Sequence, residues 1–235
     1  IWLLVVCFVL LLNEDLQCYG YLSVPSFRNF GKLQADSRRS LLKGTNIYYD
    51  VNDVPTQVRP AKFNGRGHIL IAQPGEFDHF LHRAVILIYN HSPEHGSVGV
   101  ILDRASPFTV EGAIPGYPEF RANRLFLGGN DGSDTATIIH KYKLDMSKYL
   151  GYGLYLGGLK QASELVGTGQ LPASDFKFLF NNVEWGKDVL EKEIADRRWD
   201  VCQLPVDWII SQSTEGKLWE RCREELRKTN SLLNP

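Results

Sequence analysis

GHILIAQPGEFDHFLHRAVILIYNHSPEHGSVGVILDR, residues 67–104, is the most informative segment of the sequence. It contains three short apolar runs, His68–Ala72, Ala84–Tyr89 and Ser97–Leu102, which are separated by segments rich in proline, glycine and polar residues. Runs of this length with such boundaries are typical of β-strands. The second run is apolar at every position, which predicts a strand that is covered on both faces. The connector before the third run contains proline and glycine, so we expect the last two strands to form a hairpin.

Strands and helices alternate in the remainder of the chain. Apolar residues recur at helical spacing in three segments that are therefore predicted to be helices, Leu159–Val166, Lys187–Arg198 and Glu215–Arg227. One or two helical turns are expected over Phe108–Ile114, and strands are expected over Arg124–Leu127, Ala136–His140, Leu154–Leu156, Phe176–Phe180 and Trp199–Leu204. This order predicts a single α+β domain whose mixed, barrel-like β-sheet is flanked by helices. The domain is expected to span residues 65–235, after a polar connector at 46–64.

The predicted helix Lys187–Arg198 has two acid–base pairs four residues apart, with the acid first. They are Asp188 with Lys192 and Glu193 with Arg197. This spacing and order favour ion pairs on the surface of a helix.

Residues 1–45 have the composition of a targeting presequence. Trp2–Leu12 is uninterrupted and apolar, but a membrane-spanning helix needs about 20 apolar residues, and the run has the length found in signal peptides. A buried element of the fold is the other interpretation of this run. Tyr19–Thr45 holds five basic residues, one acid and several serines, which is typical of organelle transit peptides. The two zones together predict a two-part plastid presequence, with plain secretion as the alternative and no membrane segment in the mature domain.

Charge and cysteine content narrow the possible functions. The formal net charge is −1 and the isoelectric point is about 6.7, which argues against direct binding of nucleic acid, since that needs clustered Lys and Arg. Cys7 and Cys18 lie in the predicted presequence, which leaves Cys202 and Cys222 in the mature protein. Two isolated cysteines are no disulfide framework. Cys222 is predicted to be a core residue of the last helix.

Several short motifs together resemble one known family. In chain order they are Ala72-Gln-Pro74, Asp78, Arg83-Ala84-Val85, His91, Gly96-Ser-Val-Gly99, Asp103-Arg104-Ala105, Gly128-Gly129-Asn130, Ile139-His140, Tyr155-Leu-Gly157-Gly158 and the pair Trp185 and Trp199. The pattern resembles the AlgH (YqgE) family of bacteria and plastid-bearing eukaryotes, over Gly67 to Leu226. The resemblance implies the fold of that family. It also implies a link to transcriptional regulation, for which the family has no established molecular activity.

The chain departs from the family pattern at three turns. The pattern Asn-Arg-Pro is replaced by Asp103-Arg104-Ala105, and Gly-Gly-Pro has lost its proline at Asn130. The usual Gly-Trp-Gly-Pro-Gly-Gln-Leu is reduced to a segment around Trp185 and Gly186. The chain therefore resembles a divergent, plastid-type member of the family.

The sequence contains parts of known metal-binding and catalytic patterns, but none of these patterns is complete. His79 with His82 and His91 with His95 have spacings that suit a metal on a helix, but no further ligand completes either pair. A Gly-x-Ser-x-Gly nucleophile motif is absent from the sequence. The segment Gly128–Gly132 offers backbone amides to an anion, and the other interpretation is a hairpin turn. We therefore predict no catalytic residue, no metal site and no cofactor.

The remaining polar residues at predicted strand ends are candidates for ligand binding. These candidates are Asp78, Arg83, His91, Arg104, Gly128, Gly129 and His140. A structural alternative is that Asp78 with Arg83, or Asp103 with Arg104, forms a buried ion pair that holds a loop.

Three functions follow as hypotheses. The first is a non-enzymatic α+β domain with a regulatory or protein-interaction role in a plastid, which acts through a protein partner or a bound small molecule as a monomer or homodimer. The second is an enzyme or small-ligand binder with a polar pocket around Asp78, Arg83, His91 and His140. The third is a transcription-related regulator that does not bind DNA directly.

Overall fold

The computed structural model describes residues 53–233. The predicted presequence and the first part of the connector lie outside the described residues, so the domain boundaries stay predictions. The strands are β1 Arg59–Pro60, β2 Ile69–Ala72, β3 Val85–Ser92, β4 Gly96–Ile101, β5 Ala105–Thr109, β6 Arg124–Leu127, β7 Asp131–His140, β8 Ser147–Gly151, β9 Leu154–Gly157, β10 Lys177–Trp185 and β11 Trp199–Gln203. The α-helices are α1 Val110–Ala113, α2 Leu159–Gly167, α3 Val189–Ala195, α4 Val206–Ile209 and α5 Leu218–Leu233.

The strands form one mixed sheet with the order β1-β11-β2-β3-β4-β10-β7-β9-β8, and β6 pairs with both β10 and β5. The β6–β10 pair is parallel and the other pairs are antiparallel. The expected α+β class with a mixed sheet is therefore confirmed. The sheet is not closed, because in the described residues β1 and β8 end it without pairing with each other. The barrel-like closure that we expected is absent for that reason.

The segment 67–104 adopts the predicted arrangement. β2, β3 and β4 follow one another as antiparallel neighbours. Along β3, Val85 and Leu87 pack in one apolar cluster and Ile86 and Ile88 pack in another. Alternate side chains of a strand point to opposite faces, so β3 is buried on both faces, as its composition predicts.

β10 is the central strand of the sheet. Its position accounts for the path of the glycine-rich connector between β6 and β7. One edge of β10 pairs with β7, whereas the other edge pairs first with β6 and then with β4. The connector must therefore cross β10, and it does so at the β-bulge around Asn182. A Cβ atom on Gly129 would lie 1.6 Å from the Asn182 backbone oxygen. The hairpin interpretation of this segment is wrong, because β10 separates the two strands that it joins.

The helix α3 is shorter than predicted, and its charges pair differently. It ends at Ala195, so Arg197, which has a positive φ of 58°, lies beyond it. Glu193 accepts hydrogen bonds from the indole nitrogens of Trp185 at 3.1 Å and Trp199 at 2.8 Å, and from Arg198 at 2.7 Å. The predicted pair with Arg197 is therefore replaced by a network that joins α3 to β10 and β11.

The last helix, α5, is fixed to the sheet by apolar and polar contacts. Cys222 and Leu226 are buried in the core cluster that includes β2 and β11, as predicted for Cys222. The Trp219 indole nitrogen donates a hydrogen bond to the Ala72 backbone oxygen at 2.8 Å. Within residues 53–233, no helix is long and apolar enough to cross a membrane.

Candidate functional site

A cavity of about 410 Å³ lies where the end of β4 meets the start of β10. Since these two strands are antiparallel neighbours, the chain that leaves β4 and the chain that enters β10 lie at the same end of the sheet. Asp103 and Lys177 contribute the inner wall, and α4, residues 211–217 and the first two turns of α5 contribute the outer wall. We call this space the Asp103–Lys177 cavity.

Asp103 is buried at 7% exposure, and neither of its carboxylate oxygens has a hydrogen-bond partner among the described residues. Burial raises the pKa of this carboxyl group, and the positive charges of Arg104 and Lys177 partly oppose that rise. Buried polar groups in native proteins are nearly always hydrogen-bonded. A buried carboxylate that faces a cavity without a partner is therefore a candidate ligand-binding group.

Lys177 is the first residue of β10 and is 2% exposed. Its ammonium group donates a hydrogen bond to the Ser211 backbone oxygen at 2.6 Å and lies 3.9 Å from the centre of the Phe126 ring. Burial lowers the pKa of Lys177 to about 7, and the charge of Asp103 opposes that shift. At neutral pH this group therefore exists in both its charged and its neutral form.

The acidic residues at the rim of the cavity all have basic partners. Asp207 pairs with Lys141 at 3.5 Å, Glu215 with Lys217 at 3.2 Å, Glu220 with Arg83 at 3.1 Å and Glu224 with Lys228 at 3.0 Å. Arg221 differs from these residues, because its guanidinium lies 3.4 Å from the centre of the Trp208 ring and forms no ion pair with a described residue. The acids at the rim are therefore paired with basic residues, whereas Asp103, Lys177 and Arg221 form no ion pair with a described residue.

The predicted candidates Asp78 and Arg83 do not form an ion pair with each other. Asp78 is exposed, and Arg83 pairs instead with Glu220 on α5 and lies over the Trp219 ring. Arg83 is thus the only one of the predicted candidates that contacts a residue of the cavity rim in the described part of the chain.

The predicted candidate Arg104 points away from Asp103. Its guanidinium donates a hydrogen bond to the His82 backbone oxygen. The predicted Asp103–Arg104 ion pair is therefore absent, and Asp103 keeps its unpartnered oxygens.

His91 lies in a separate cluster at the far end of the β3–β4 hairpin. Its Nδ1 atom is 2.9 Å from the Ser97 hydroxyl and 3.6 Å from a Glu191 carboxylate oxygen, and Phe63 packs edge-on against its ring. A Ser-His-acid triad needs the serine and the acid on opposite ring nitrogens. Here both approach the same nitrogen, and Ser97 is buried, so this arrangement is not a hydrolytic triad.

His140 is fully buried and has two backbone partners. Its Nε2 atom lies 2.8 Å from the Gly157 oxygen, and its Nδ1 atom accepts a hydrogen bond from the Tyr142 amide at 3.2 Å. Burial lowers the pKa of His140 to about 4, so the ring is neutral at physiological pH. The arrangement assigns His140 a structural role in the core.

The four residues proposed for one polar pocket are not assembled into one. β10 carries Lys177 opposite Ile139 at one end and Trp185 opposite Ser97 at the other. His140 and His91 are thus separated along this strand by roughly 25 Å, at about 3.3 Å per residue. Gly128 and Gly129 lie against the backbone of Asn181 and Asn182, and the Gly128 amide donates a hydrogen bond to the Phe180 backbone oxygen at 2.7 Å rather than to an anion. Among the described residues, no group of three or more His, Cys, Asp or Glu side chains is arranged to hold a metal ion.

Comparison with known proteins identifies the family. A family model described as AlgH-like matches residues 69–230. This chain belongs to the AlgH-like family. The resemblance predicted from its motifs is thereby confirmed. A UPF0301 protein of Chlorobium phaeobacteroides is 31% identical over 158 residues, which are 66% of this chain and 83% of that relative. A UPF0301 protein of Delftia acidovorans is 31% identical over 156 residues, which are 59% of this chain and 77% of that relative.

Two solved structures have a similar fold. The crystal structure of a Corynebacterium diphtheriae protein matches with a TM-score of 0.59 and 22% identity, and covers 68% of this chain and 86% of its own. The solution structure of the AlgH protein from Pseudomonas aeruginosa matches with a TM-score of 0.53 and 19% identity, and covers 71% of this chain and 91% of its own. At these identities the similarity establishes the shared fold.

Proposed function

We propose that this AlgH-like chain is a non-enzymatic regulatory domain that binds a small polar molecule in the Asp103–Lys177 cavity. The observation that carries the proposal is the buried Asp103 carboxylate, which faces the cavity without a hydrogen-bond partner. An unpaired buried charge costs several kcal/mol, on the order of the effective desolvation penalty of one ion. A ligand that donates hydrogen bonds to Asp103 removes much of that cost, and the binding free energy comes from this difference.

Lys177 connects the cavity to the protein surface. Its hydrogen bond to Ser211 holds the segment 211–217, which is largely exposed. A ligand that competes for the Lys177 ammonium group changes how this segment is held, and a protein partner that contacts the segment then responds to the ligand. The net charge near zero favours a protein partner over direct binding to nucleic acid. A role in transcription would accordingly be exerted through such a partner.

The plastid location is part of the same proposal and rests on the composition of residues 1–45. A fusion of residues 1–52 to a fluorescent reporter, expressed in an alga with secondary plastids, tests it. Import into the plastid supports the location, whereas export of the reporter from the cell favours secretion.

Native mass spectrometry tests the binding proposal. The full chain and its Asp103→Asn variant are incubated with a low-molecular-mass metabolite extract and then compared. The proposal predicts a mass adduct on the wild-type chain that is absent from the variant. Equal spectra for both proteins would contradict it. Asp196→Asn, a change at an exposed position outside the cavity, is the control that should keep the adduct.

Lys177 also supports a second candidate function, an enzyme that acts through a Schiff base. A lysine whose pKa is lowered to about 7 by burial has enough neutral amine to attack a carbonyl compound. The neutral amine adds to the carbonyl carbon and gives a carbinolamine with a new C–N bond. The carbinolamine hydroxyl then leaves as water with a proton from the Asp103 carboxyl group, and the C=N bond forms as the nitrogen proton returns to Asp103. Borohydride reduction in the presence of the extract would fix such an adduct on Lys177. A peptide map with an unmodified Lys177 would remove this candidate.

A further inference from the structure

The charges that face the Asp103–Lys177 cavity define what kind of molecule it accepts. The rim acids are neutralised by their basic partners, as described above. Three charged side chains of the wall have no counter-ion within ion-pair distance among the described residues: Asp103, Lys177 and Arg221. The cavity therefore presents one carboxyl group without a hydrogen-bond partner and two basic groups without an ion pair, of which Lys177 is hydrogen-bonded to the Ser211 backbone oxygen and Arg221 lies over the Trp208 ring.

A ligand with a single charge fits this set poorly. A simple cation would satisfy Asp103 but would meet Lys177 and Arg221 with the same sign. A simple anion would satisfy the two cations but would leave the buried Asp103 carboxylate unpartnered and add a second negative charge near it. Like charges at close range are unfavourable, and an unpartnered buried charge keeps its desolvation cost. A molecule with a cationic end and an anionic end satisfies all three groups.

The size and the apolar lining of the cavity further limit which ligands it can bind. A volume of about 410 Å³ lies at the lower end of the range of small-molecule sites, about 300–1,000 Å³. Leu102 and Leu218 line the wall beside the charged groups. An apolar substituent on the ligand therefore finds an apolar surface there.

We propose that the molecule bound in the Asp103–Lys177 cavity is a zwitterion of the amino-acid class, with its ammonium group on Asp103 and its carboxylate on Lys177 and Arg221. This inference rests on the proposed function, since it names the chemical class of the ligand that the cavity binds. Asp103 accepts hydrogen bonds from the ammonium group, and the two cations donate to the carboxylate. The partly neutral state of Lys177 shifts towards the charged form when the ligand carboxylate arrives.

Calorimetric titration of the full chain tests the class of ligand. The probes are the common L-amino acids, each tested beside the amine that lacks its carboxylate and the carboxylic acid that lacks its amino group. We expect at least one L-amino acid to bind, and each truncated analogue to bind at least about tenfold more weakly, because each loses a charge-assisted hydrogen bond. An amine or an acid that binds as well as its parent amino acid would overturn the assignment.

Two variants locate the two ends of the ligand. Asp103→Asn should abolish the difference between an amino acid and its deaminated acid, whereas Arg221→Gln should reduce the difference between the amino acid and its decarboxylated amine. Arg221 is exposed, so the second variant leaves the core unchanged and tests the assignment independently of the first. Binding that is unchanged in both variants would place the amino acid elsewhere and overturn the inference.

The test separates this inference from the proposed function. If the metabolite extract gives an Asp103-dependent adduct while no amino acid binds, the ligand class is wrong and the binding function stands. If neither the extract nor any amino acid gives Asp103-dependent binding, both fail.

Discussion

The Asp103 carboxylate and the Lys177 ammonium group line the same cavity, yet neither oxygen of Asp103 accepts a hydrogen bond from Lys177. Each side chain is almost completely buried. A fold that only needed stability would gain little from two buried charged groups that do not satisfy each other. The stability of the chain should therefore respond to these residues in ways that differ from ordinary core positions.

Asp103→Asn is expected to stabilise the chain by roughly 1 kcal/mol at pH values at which the wild-type carboxyl group is ionised, since burial disfavours that charge and asparagine keeps the shape of the side chain. Burial raises the pKa of Asp103, so the folded state retains its proton at a pH where the unfolded state has lost it. The free energy of unfolding of the wild type therefore falls as the pH rises through the pKa that Asp103 has in the folded state. The change also restores the Asn of the Asn-Arg-Pro pattern. Urea unfolding at several pH values measures the effect, and a stability difference between variant and wild type that does not grow with rising pH would contradict it.

Lys177→Met is expected to remove a pH dependence of stability between pH 7 and 10.5. The unfolded lysine stays protonated up to its ordinary pKa of 10.5, whereas the folded one loses its proton near 7. The unfolded state binds more protons in this window, so wild-type stability rises with pH relative to the variant, by up to about 5 kcal/mol. The measurement is the free energy of unfolding from pH 7 to 10.5, with Lys217→Met at an exposed rim position as control. Parallel curves for wild type and Lys177→Met would show that the prediction is wrong.

His140→Gln is expected to make the chain less sensitive to acid. The pKa of His140 is lowered from 6.5 to about 4. Between these two pH values the imidazole is therefore protonated in the unfolded state and neutral in the folded state. Wild-type stability is thus lost as the pH falls from 6.5 to 4, by about 3 kcal/mol from this residue. Thermal melts across that range should show a shallower decline for the variant. His95→Gln, at an exposed position, serves as the matched control, and an equal decline in all three proteins would refute the assignment.

Glu193→Ala is expected to destabilise the chain by about 3 kcal/mol, because the indole N–H groups of two buried tryptophans and Arg198 lose their acceptor. The near-ultraviolet circular dichroism of Trp185 and Trp199 should change with it. Glu184→Ala, at an exposed position of β10, is the comparison and should change stability by less than about 0.5 kcal/mol. Similar losses in both variants would argue against the network.

Gly129→Ala is expected to cost about 3 kcal/mol or more, because the new Cβ atom would overlap the Asn182 backbone, which cannot move aside. Gly112→Ala offers the opposite case. It lies in α1 with no atom within 4 Å of the added Cβ, and alanine favours a helix over glycine by about 0.5–1 kcal/mol. Urea midpoints compare the two. A tolerated alanine at position 129 would disprove the crossing of β10.

The fold was largely predictable from the sequence where local pattern and tertiary structure agree. The run Ala84–Tyr89 is apolar at every position, and β3 is buried on both faces. Prediction failed where strand pairing overrides the local preference of the sequence for a turn. The residues after Gly129 favour a turn, so the sequence does not indicate where β7 begins. β7 begins at Asp131 because that residue pairs with Asn182 beyond the bulge of β10.

The cavity could not be predicted in the same way. Lys177 alternates with Phe176 and Phe178, and a lysine at such a position normally faces solvent. It is buried here because α4 and the segment 211–217 cover the start of β10, which no local pattern indicates. Asp103 was recognised as a polar residue at a strand end, but its neighbour Arg104 suggested an ion pair. The Arg104 guanidinium instead donates a hydrogen bond to the His82 backbone oxygen, and the Asp103 carboxyl group has no hydrogen-bond partner.

A two-dimensional ¹H–¹⁵N nuclear magnetic resonance titration of the full chain with the metabolite extract shows directly whether the Asp103–Lys177 cavity binds a ligand. We expect the amide signals of Lys177, Gly216 and Leu218 to shift in the wild type and not to shift in Asp103→Asn. Shifts that cluster around His91 instead, or signals that stay unchanged in both proteins, would contradict it.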